Sequence, residues 1–460
     1  MKIKLLKSAV LGSFGKVVLA GSLFVAPLVS VQLAESVVPG QSLFTGTQVL
    51  AQVKAGNKTF EARRLPGVSQ SFAKELTEVA NLLQPPEGST EKPNPNKALE
   101  VLNRISRGID KLNPYEVAQL HQYYAYAYYG KEDYTRALQS LEKVIAQSPN
   151  IPVSMEAATY LTLAQLYGQE ENYKKSLELM LKWTDFVSEI RPDQHYLFGT
   201  LYYQLEDMNN ALANVSEAVR VTEAAGKIPP ESWYNFQRGI YLEREDYASA
   251  LTVLHKLARH YPNANHWTQM AQIYAMLNRD KEKLAALEAA YLMGGVTTER
   301  QLVVLASYFL EADAPYKAAK VLDKAINKDK SVEPTAKNLE LLANAWRAAQ
   351  EYSKSLAEME KAAQKSENGN LLHTLASLYN SNDRYKDAIR VAKQALNKGG
   401  LNRPDQVHMV IGAAYIELGE FDEAIKAFKE AAKDKRSERL GNQWATYAQR
   451  ERDRIAALMK

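Results

Sequence analysis

From about residue 70 onward, apolar residues recur at i, i+3, i+4 and i+7, the period of a helix with one buried stripe. No stretch there alternates convincingly as a strand would. The pattern predicts helix after helix, broken by short polar turns. One position on every second helix falls at Ala137, Ser176, Ala211, Ala250, Lys283, Ala318, Ser355, Ala388 and Ala424, with gaps of 33 to 39 residues. All but Lys283 are small. One position on every first helix is aromatic: Tyr128, Tyr167, Tyr202, Tyr241, Tyr274, Phe309, Trp346, Tyr379 and Tyr415. Two marks recurring together nine times predict a repeat array.

Counting Asp405 as position 1, the last repeat has Gly412 at 8, Tyr415 at 11, Gly419 at 15, Phe421 at 17, Ala424 at 20, Phe428 at 24 and Ala431 at 27. This resembles a tetratricopeptide repeat, a helix–turn–helix unit of about 34 residues. The resemblance implies an all-α, right-handed superhelical solenoid. Positions 8 and 20 are then where the two helices cross most closely, so a long side chain there is anomalous. Arg238 (position 8) and Lys283 (position 20) are two such cases. Their repeats are expected to be splayed or looser, or the side chains to run outward along the helix. Prolines mark first-helix starts at Pro114, Pro192, Pro230 and Pro404. Thr298 and Gln301 have the spacing of a capping box.

Nine repeats are expected over residues 118–438. Before them, residues 71–112 read as a degenerate helical pair interrupted by the Pro-rich loop 85–96. After them, residues 439–460 read as a capping helix, carrying Trp444 and Ile455, that covers the last repeat's apolar flank with a polar back. Residues 37–70 show no period and read as an extended lead-in. Residues 1–36 combine Lys2, Lys4, Lys7 and Lys16 with an apolar run from Val17 to about Ala34, the layout of a signal peptide. Cleavage is expected after Ser36, with a later cut after Ala51 as the alternative; an uncleaved inner-membrane anchor is the competing reading.

The leader changes the charge argument. The whole chain is +4. Residues 1–36 hold four lysines and one glutamate and so carry +3, which leaves +1 for the rest. A near-neutral exported chain has no electrostatic case for nucleic acid. Apolar content of 46% is that of a folded chain, and the absence of cysteine excludes disulfides, thiolate metal sites and a cysteine nucleophile. Of the seven histidines, His121, His195 and His408 fall at position 4, a packing position. His255, His260 and His266 are not spaced to share one helix face. HExxH, Walker A, GxGxxG and GxSxG motifs are absent from the sequence. The expected protein is no enzyme, and neither a cofactor nor a metal is expected.

In the tetratricopeptide family, positions 2, 5, 9, 12 and 13 line the concave groove. That resemblance makes Gln119, Gln122, Tyr126, Tyr129, Gln165, Tyr196, Tyr203, Gln204, Asn344 and Arg347 candidate partner-binding residues. Rings that bury apolar side chains, beside amides that bond an extended backbone, suit a peptide. The competing reading makes some of these tyrosines padding between neighbouring repeats. The lysine–asparagine set of a carboxylate clamp is missing from every pair of adjacent repeats.

The run from His121 to Phe186 ("HQYYAYAYYGKEDYTRALQSLEKVIAQSP…LMLKWTDF") and the later "APYKAAKVLDKAI" resemble a periplasmic repeat protein of marine gammaproteobacteria. The resemblance extends from about Arg63 to Ile326, and members of that family accompany TonB, ExbB and ExbD. It implies a periplasmic scaffold or adaptor accessory to energy-coupled uptake of iron–siderophore-type ligands, with envelope proteins as partners. Membrane contact would come only through partners or an uncleaved leader. A scaffold for another envelope machine, such as cell-wall or surface-polymer assembly, is the alternative.

Overall fold

The computed structural model describes residues 54–55, 58–59, 63, 65–86 and 88–458. The leader, with both of its candidate cuts, lies outside the described residues. Among the described residues the chain is helical apart from one antiparallel pair of two-residue strands, β1 (Lys54–Ala55) and β2 (Lys58–Thr59), within the lead-in. Two compact units divide the chain, Met1–Tyr261 and Pro262–Lys460.

The first unit opens with α1 (Gln70–Leu83) and α2 (Pro95–Ser106). Four helix pairs follow: α3 (Pro114–Tyr129) with α4 (Tyr134–Ile145), α5 (Val153–Gln169) with α6 (Tyr173–Thr184), α7 (Pro192–Gln204) with α8 (Met208–Ala224), and α9 (Glu231–Glu243) with α10 (Tyr247–His260). Five pairs make up the second unit: α11 (Ala264–Met276) with α12 (Asp280–Leu292), α13 (Glu299–Glu311) with α14 (Pro315–Asp323), α15 (Ala336–Ala348) with α16 (Tyr352–Lys365), α17 (Asn370–Ser381) with α18 (Tyr385–Lys398), and α19 (Pro404–Glu417) with α20 (Phe421–Ala431). A final helix, α21 (Glu438–Leu458), closes it. Consecutive antiparallel pairs of this kind are the tetratricopeptide architecture.

The small residues sit where the helices meet. Ser176 Oγ donates to the Ala164 carbonyl at 2.6 Å, which joins positions 20 and 8 of one repeat directly. A Cβ on Gly199 would lie 3.2 Å from the Ala211 carbonyl, the same pair one repeat later. Of the two expectations for Arg238, the outward course is not met: it is buried at 5% exposure, and burial lowers its guanidinium pKa to about 10. Lys283 is half-buried, with Nζ 4.2 Å from the Tyr308 ring centre and 2.6 Å from Asp280 Oδ1. The capping box at Thr298 and Gln301 is formed. The Pro-rich loop ends sooner than 96, because Asn94 caps α2 by accepting from the Lys97 N–H at 3.1 Å and Pro95 fills the first helical position.

Every repeat turns through one left-handed residue at position 15. These are Glu132, Glu171, Glu206, Glu245, Asn278, Asp313, Gln350 and Asp383, with φ from 54° to 63°, and Gly419 at 74°. The following N–H donates to the carbonyl of the position-11 aromatic at 2.8–3.0 Å in all nine turns. That six-to-one bond closes the first helix and aims the chain back along it. Only one of the nine uses glycine, so eight turns carry a left-handed cost that the surrounding packing offsets.

The lead-in is tied to the helix starts. Arg63 donates to Glu156 Oε2 at 2.6 Å and to the Ile151 carbonyl at 2.9 Å, while Glu156 Oε1 accepts from Ser148 Oγ at 3.0 Å. Further along, the Ser69 N–H donates to Glu116 Oε1 at 2.8 Å and Asn113 Nδ2 to the Gly67 carbonyl at 2.9 Å. At the other end, α21 packs most closely through small residues, with Trp444 stacked on Phe428 beside them and Ile455 half-buried. Gly441, Ala445 and Ala448 are buried, and a Cβ on Gly441 would stand 2.8 Å from the Phe428 carbonyl. The close approach leaves no room for larger groups on that face. One flank of the helix, beside that face, carries the exposed Leu440, Trp444 and Tyr447.

Candidate functional site

The tyrosine-rich helix α3 begins on a full capping box. Asn113 Oδ1 accepts from the Tyr115 and Glu116 N–H groups at 3.0 Å, and the Asn113 N–H donates to Glu116 Oε2 at 3.0 Å. Its aromatic residues divide between two tasks. Tyr124 is buried, stacks on Tyr128 at 6.0 Å and donates to Asn103 Oδ1 on α2 at 2.7 Å. Tyr123 and Tyr126 meet edge to face at 5.9 Å and pack, with Tyr128, against the core of α1 and α2. Tyr126 is thus spent largely on packing, and burial pushes its hydroxyl up to about 12. Gln122 Nε2 donates to that hydroxyl at 2.8 Å. Tyr129 is half-buried and meets Tyr134 edge-on at 5.6 Å.

Gln119 is buried at 7% exposure, and its Oε1 accepts no hydrogen bond. Gln165 is half-buried on α5. On α7, Tyr196 is buried and stacks on Trp233 at 5.3 Å, while Tyr203 and Gln204 are half-buried. Tyr196 and Tyr203 both meet the Phe236 ring edge-on, at 5.7 and 5.3 Å. Tyr203 donates to Glu243 Oε2 at 3.4 Å, and burial raises its pKa to about 12. In the second unit, Asn344 is half-buried and Arg347 exposed.

Eight of the ten candidates therefore lie in the first unit. The structure joins Gln122 with Tyr126, and Tyr196 with Tyr203 through Phe236. Gln119 and Tyr196 are buried in packing; Gln122, Tyr126, Tyr129, Gln165, Tyr203 and Gln204 are half-buried, Tyr126 with part of its ring against α1 and α2. Position counting passed over Trp233 and Phe236, which complete the α7–α9 cluster with Glu243, a position-13 residue of the groove set. Trp233 and Phe236 stand at positions 3 and 6 of their repeat, outside the groove set. Their i, i+3 spacing on one helix face was the available signal. Among the described residues no group of three or more His, Asp or Glu side chains could hold a metal ion. No described helix is long and apolar enough to cross a membrane.

Residues 373–438 match the family description "Tetratricopeptide repeat". No curated protein sequence matches the chain. Among solved structures, one of Naa15/Naa10 bound to HypK is 14% identical, covering 82% of this chain and 66% of that one, with a TM-score of 0.39. A tetratricopeptide repeat protein from Parabacteroides merdae is 15% identical over 57% of this chain and 98% of its own, at a TM-score of 0.32. A crystal structure of MamA is 18% identical over 37% and 90%, at 0.31.

Proposed function

We propose that the chain is a non-catalytic protein-binding scaffold of the cell envelope, and that the first helices of the first unit hold the partner. One observation carries this reading. Tyr129, Gln122, Gln165, Tyr203 and Gln204 remain half-buried on those helices, as does Tyr126, while packing has claimed Gln119 and Tyr196. Half-buried rings and amides without formal charge suit an extended segment that brings apolar side chains and an unpaired backbone. The envelope and TonB/ExbB/ExbD assignment rests on the resemblance of His121–Phe186 and Ala314–Ile326 to the periplasmic repeat family.

A photoreactive residue at Tyr129 tests both parts in cells grown with scarce and with abundant iron. Cross-links to TonB, ExbB or ExbD that grow when iron is scarce are expected. Cross-links to wall or surface-polymer enzymes would replace the uptake reading with the other envelope scaffold. Tyr129→Ala with Tyr203→Ala should weaken capture while leaving helicity and melting nearly unchanged; a large loss of stability would reassign both rings to packing.

A further inference from the structure

One flank of α21 carries an ordered stripe. Leu440, Trp444, Tyr447, Glu451, Arg454 and Leu458 follow one another at intervals of three and four and share one side of the helix. Leu440 is 46% exposed, Trp444 41%, Tyr447 46% and Leu458 74%, so four large apolar groups stand in water along one 21-residue helix. The stripe is left open because the helix packs through an adjoining face, roughly a quarter-turn round from it. Gly441, Ala445 and Ala448 face the buried Phe428 and Ala424, and Arg452 Nη1 is tied to Asp422 at 2.7 Å. One ring plane of Trp444 rests on Phe428 at 5.9 Å, and Tyr447 meets Trp444 edge-on at 5.5 Å, so both are held in place before anything binds.

We propose that this stripe docks a second copy of the same chain, helix against antiparallel helix, about a two-fold axis near residue 449. The order of chemistry along the stripe supports it. In that register Leu440 meets Leu458 of the second copy, Trp444 meets Arg454, and Tyr447 meets Glu451, each contact occurring twice. The pairs are apolar on apolar, guanidinium on indole, and phenol on carboxylate. The two charged groups that interrupt the stripe, now paired with each other at 2.7 Å, each gain an aromatic partner. A parallel pairing would instead set Glu451 on Glu451 and Arg454 on Arg454. An apolar surface without matching groups would bury both charges for no return. The helix is about 30 Å long. One helix pair of that length lies at the small end of specific interfaces, so a concentration-dependent dimer in the micromolar range is expected.

The test uses the purified full chain. Sedimentation velocity from about 1 to 200 µM should show the mass moving from one copy toward two. Leu440→Lys with Tyr447→Lys should raise the dissociation constant at least about tenfold with helicity unchanged. Because the chain has no cysteine, register can be read directly. Leu440→Cys combined with Leu458→Cys should oxidise to a covalent dimer, whereas Leu440→Cys alone should not. A chain that stays single over the whole range, or a lysine variant that dimerises like the parent, overturns the proposal. So does efficient linking by Leu440→Cys alone, which requires parallel helices. A single chain whose Trp444 is shielded from quencher also overturns it, handing the stripe to another segment of the same chain.

Discussion

The two units close the same turn with different chemistry. In the first, every second helix starts at an Asp or Asn whose side chain caps it. Asp133, Asn172, Asp207 and Asp246 accept from the third helical N–H at 3.1–3.2 Å. In the second, the equivalent residues are Arg279, Ala314, Glu351, Arg384 and Glu420, and none makes a side-chain cap. A cation covers the position-11 ring instead. Arg279 lies 4.9 Å from Tyr274, Lys317 5.6 Å from Phe309, Lys354 4.5 Å from Trp346, Arg384 4.4 Å from Tyr379 and Lys393 5.6 Å from Tyr415. Among the described residues the first unit has one such contact at that position, Arg136 on Tyr128 at 5.6 Å. Acids in the first turn, among them Glu282 and Asp387, pair with Arg279 and Arg384 and favour the positive helix end. The backbone turn is identical in both. What varies is whether a local hydrogen bond or a set of charges holds it.

The largest expected effect lies at the end of the charged unit. Asp405 is buried, and Arg403, with Ser437 and Gln406, holds its carboxyl well below the usual carboxylate range. Asp405→Ala should cost about 2–4 kcal/mol, because it strands those partners. Since the folded pKa is depressed, this contribution is complete above the unfolded value near 3.8 and declines as pH falls below it. Hydrogen exchange of the full chain, read separately in each unit, measures both. Next in size is the cap itself. Asp207→Ala should cost about 1 kcal/mol in the first unit, and Ala314→Asp should return a similar amount in the second. Equal responses to Ala314→Asp and to a surface control would show that the charges already satisfy that helix end.

Position 15 gives a smaller effect of opposite sign. Glu206→Gly should stabilise by about 0.5–1 kcal/mol, since glycine adopts φ near 62° without cost. Its failure to do so would mean that the acid side chain contributes at that turn. The smallest is ionic. Raising salt to about 0.5 M should weaken the second unit by a few tenths of a kcal/mol more than the first, because hydrogen-bonded caps are screened less than exposed pairs. Equal salt dependence would remove the physical meaning of the contrast.

How legible each feature was follows from the kind of constraint behind it. Helix crossings exclude large side chains, so Ala164, Ala211 and Ala424 leave a period that can be read along the chain. The aromatic beside each crossing does the same. The left-handed turns left almost no trace, because eight of the nine are not glycine and an acid there looks like any polar loop residue. Arg238 misled because a long cation is usually outside, whereas here it is buried. Within the candidate site, position rules marked Tyr196 and Tyr203 but not Trp233 or Phe236. A frame that ranks positions within one repeat does not show which rings from adjacent first helices will touch. It also does not separate a tyrosine that faces a groove from one, like Tyr126, that a preceding helix pair covers.

The clasp between Arg63 and Glu156 has a consequence in time. Most contacts in a repeat array join neighbours, so each pair can form soon after it is made. This contact spans 93 residues. On a ribosome adding about 5–20 residues per second, Arg63 waits roughly 5–20 seconds for its carboxylate to be synthesised. Throughout that interval the first repeat can fold and hold the chain at Gly67 and Ser69, while Arg63 itself is still without its clasp.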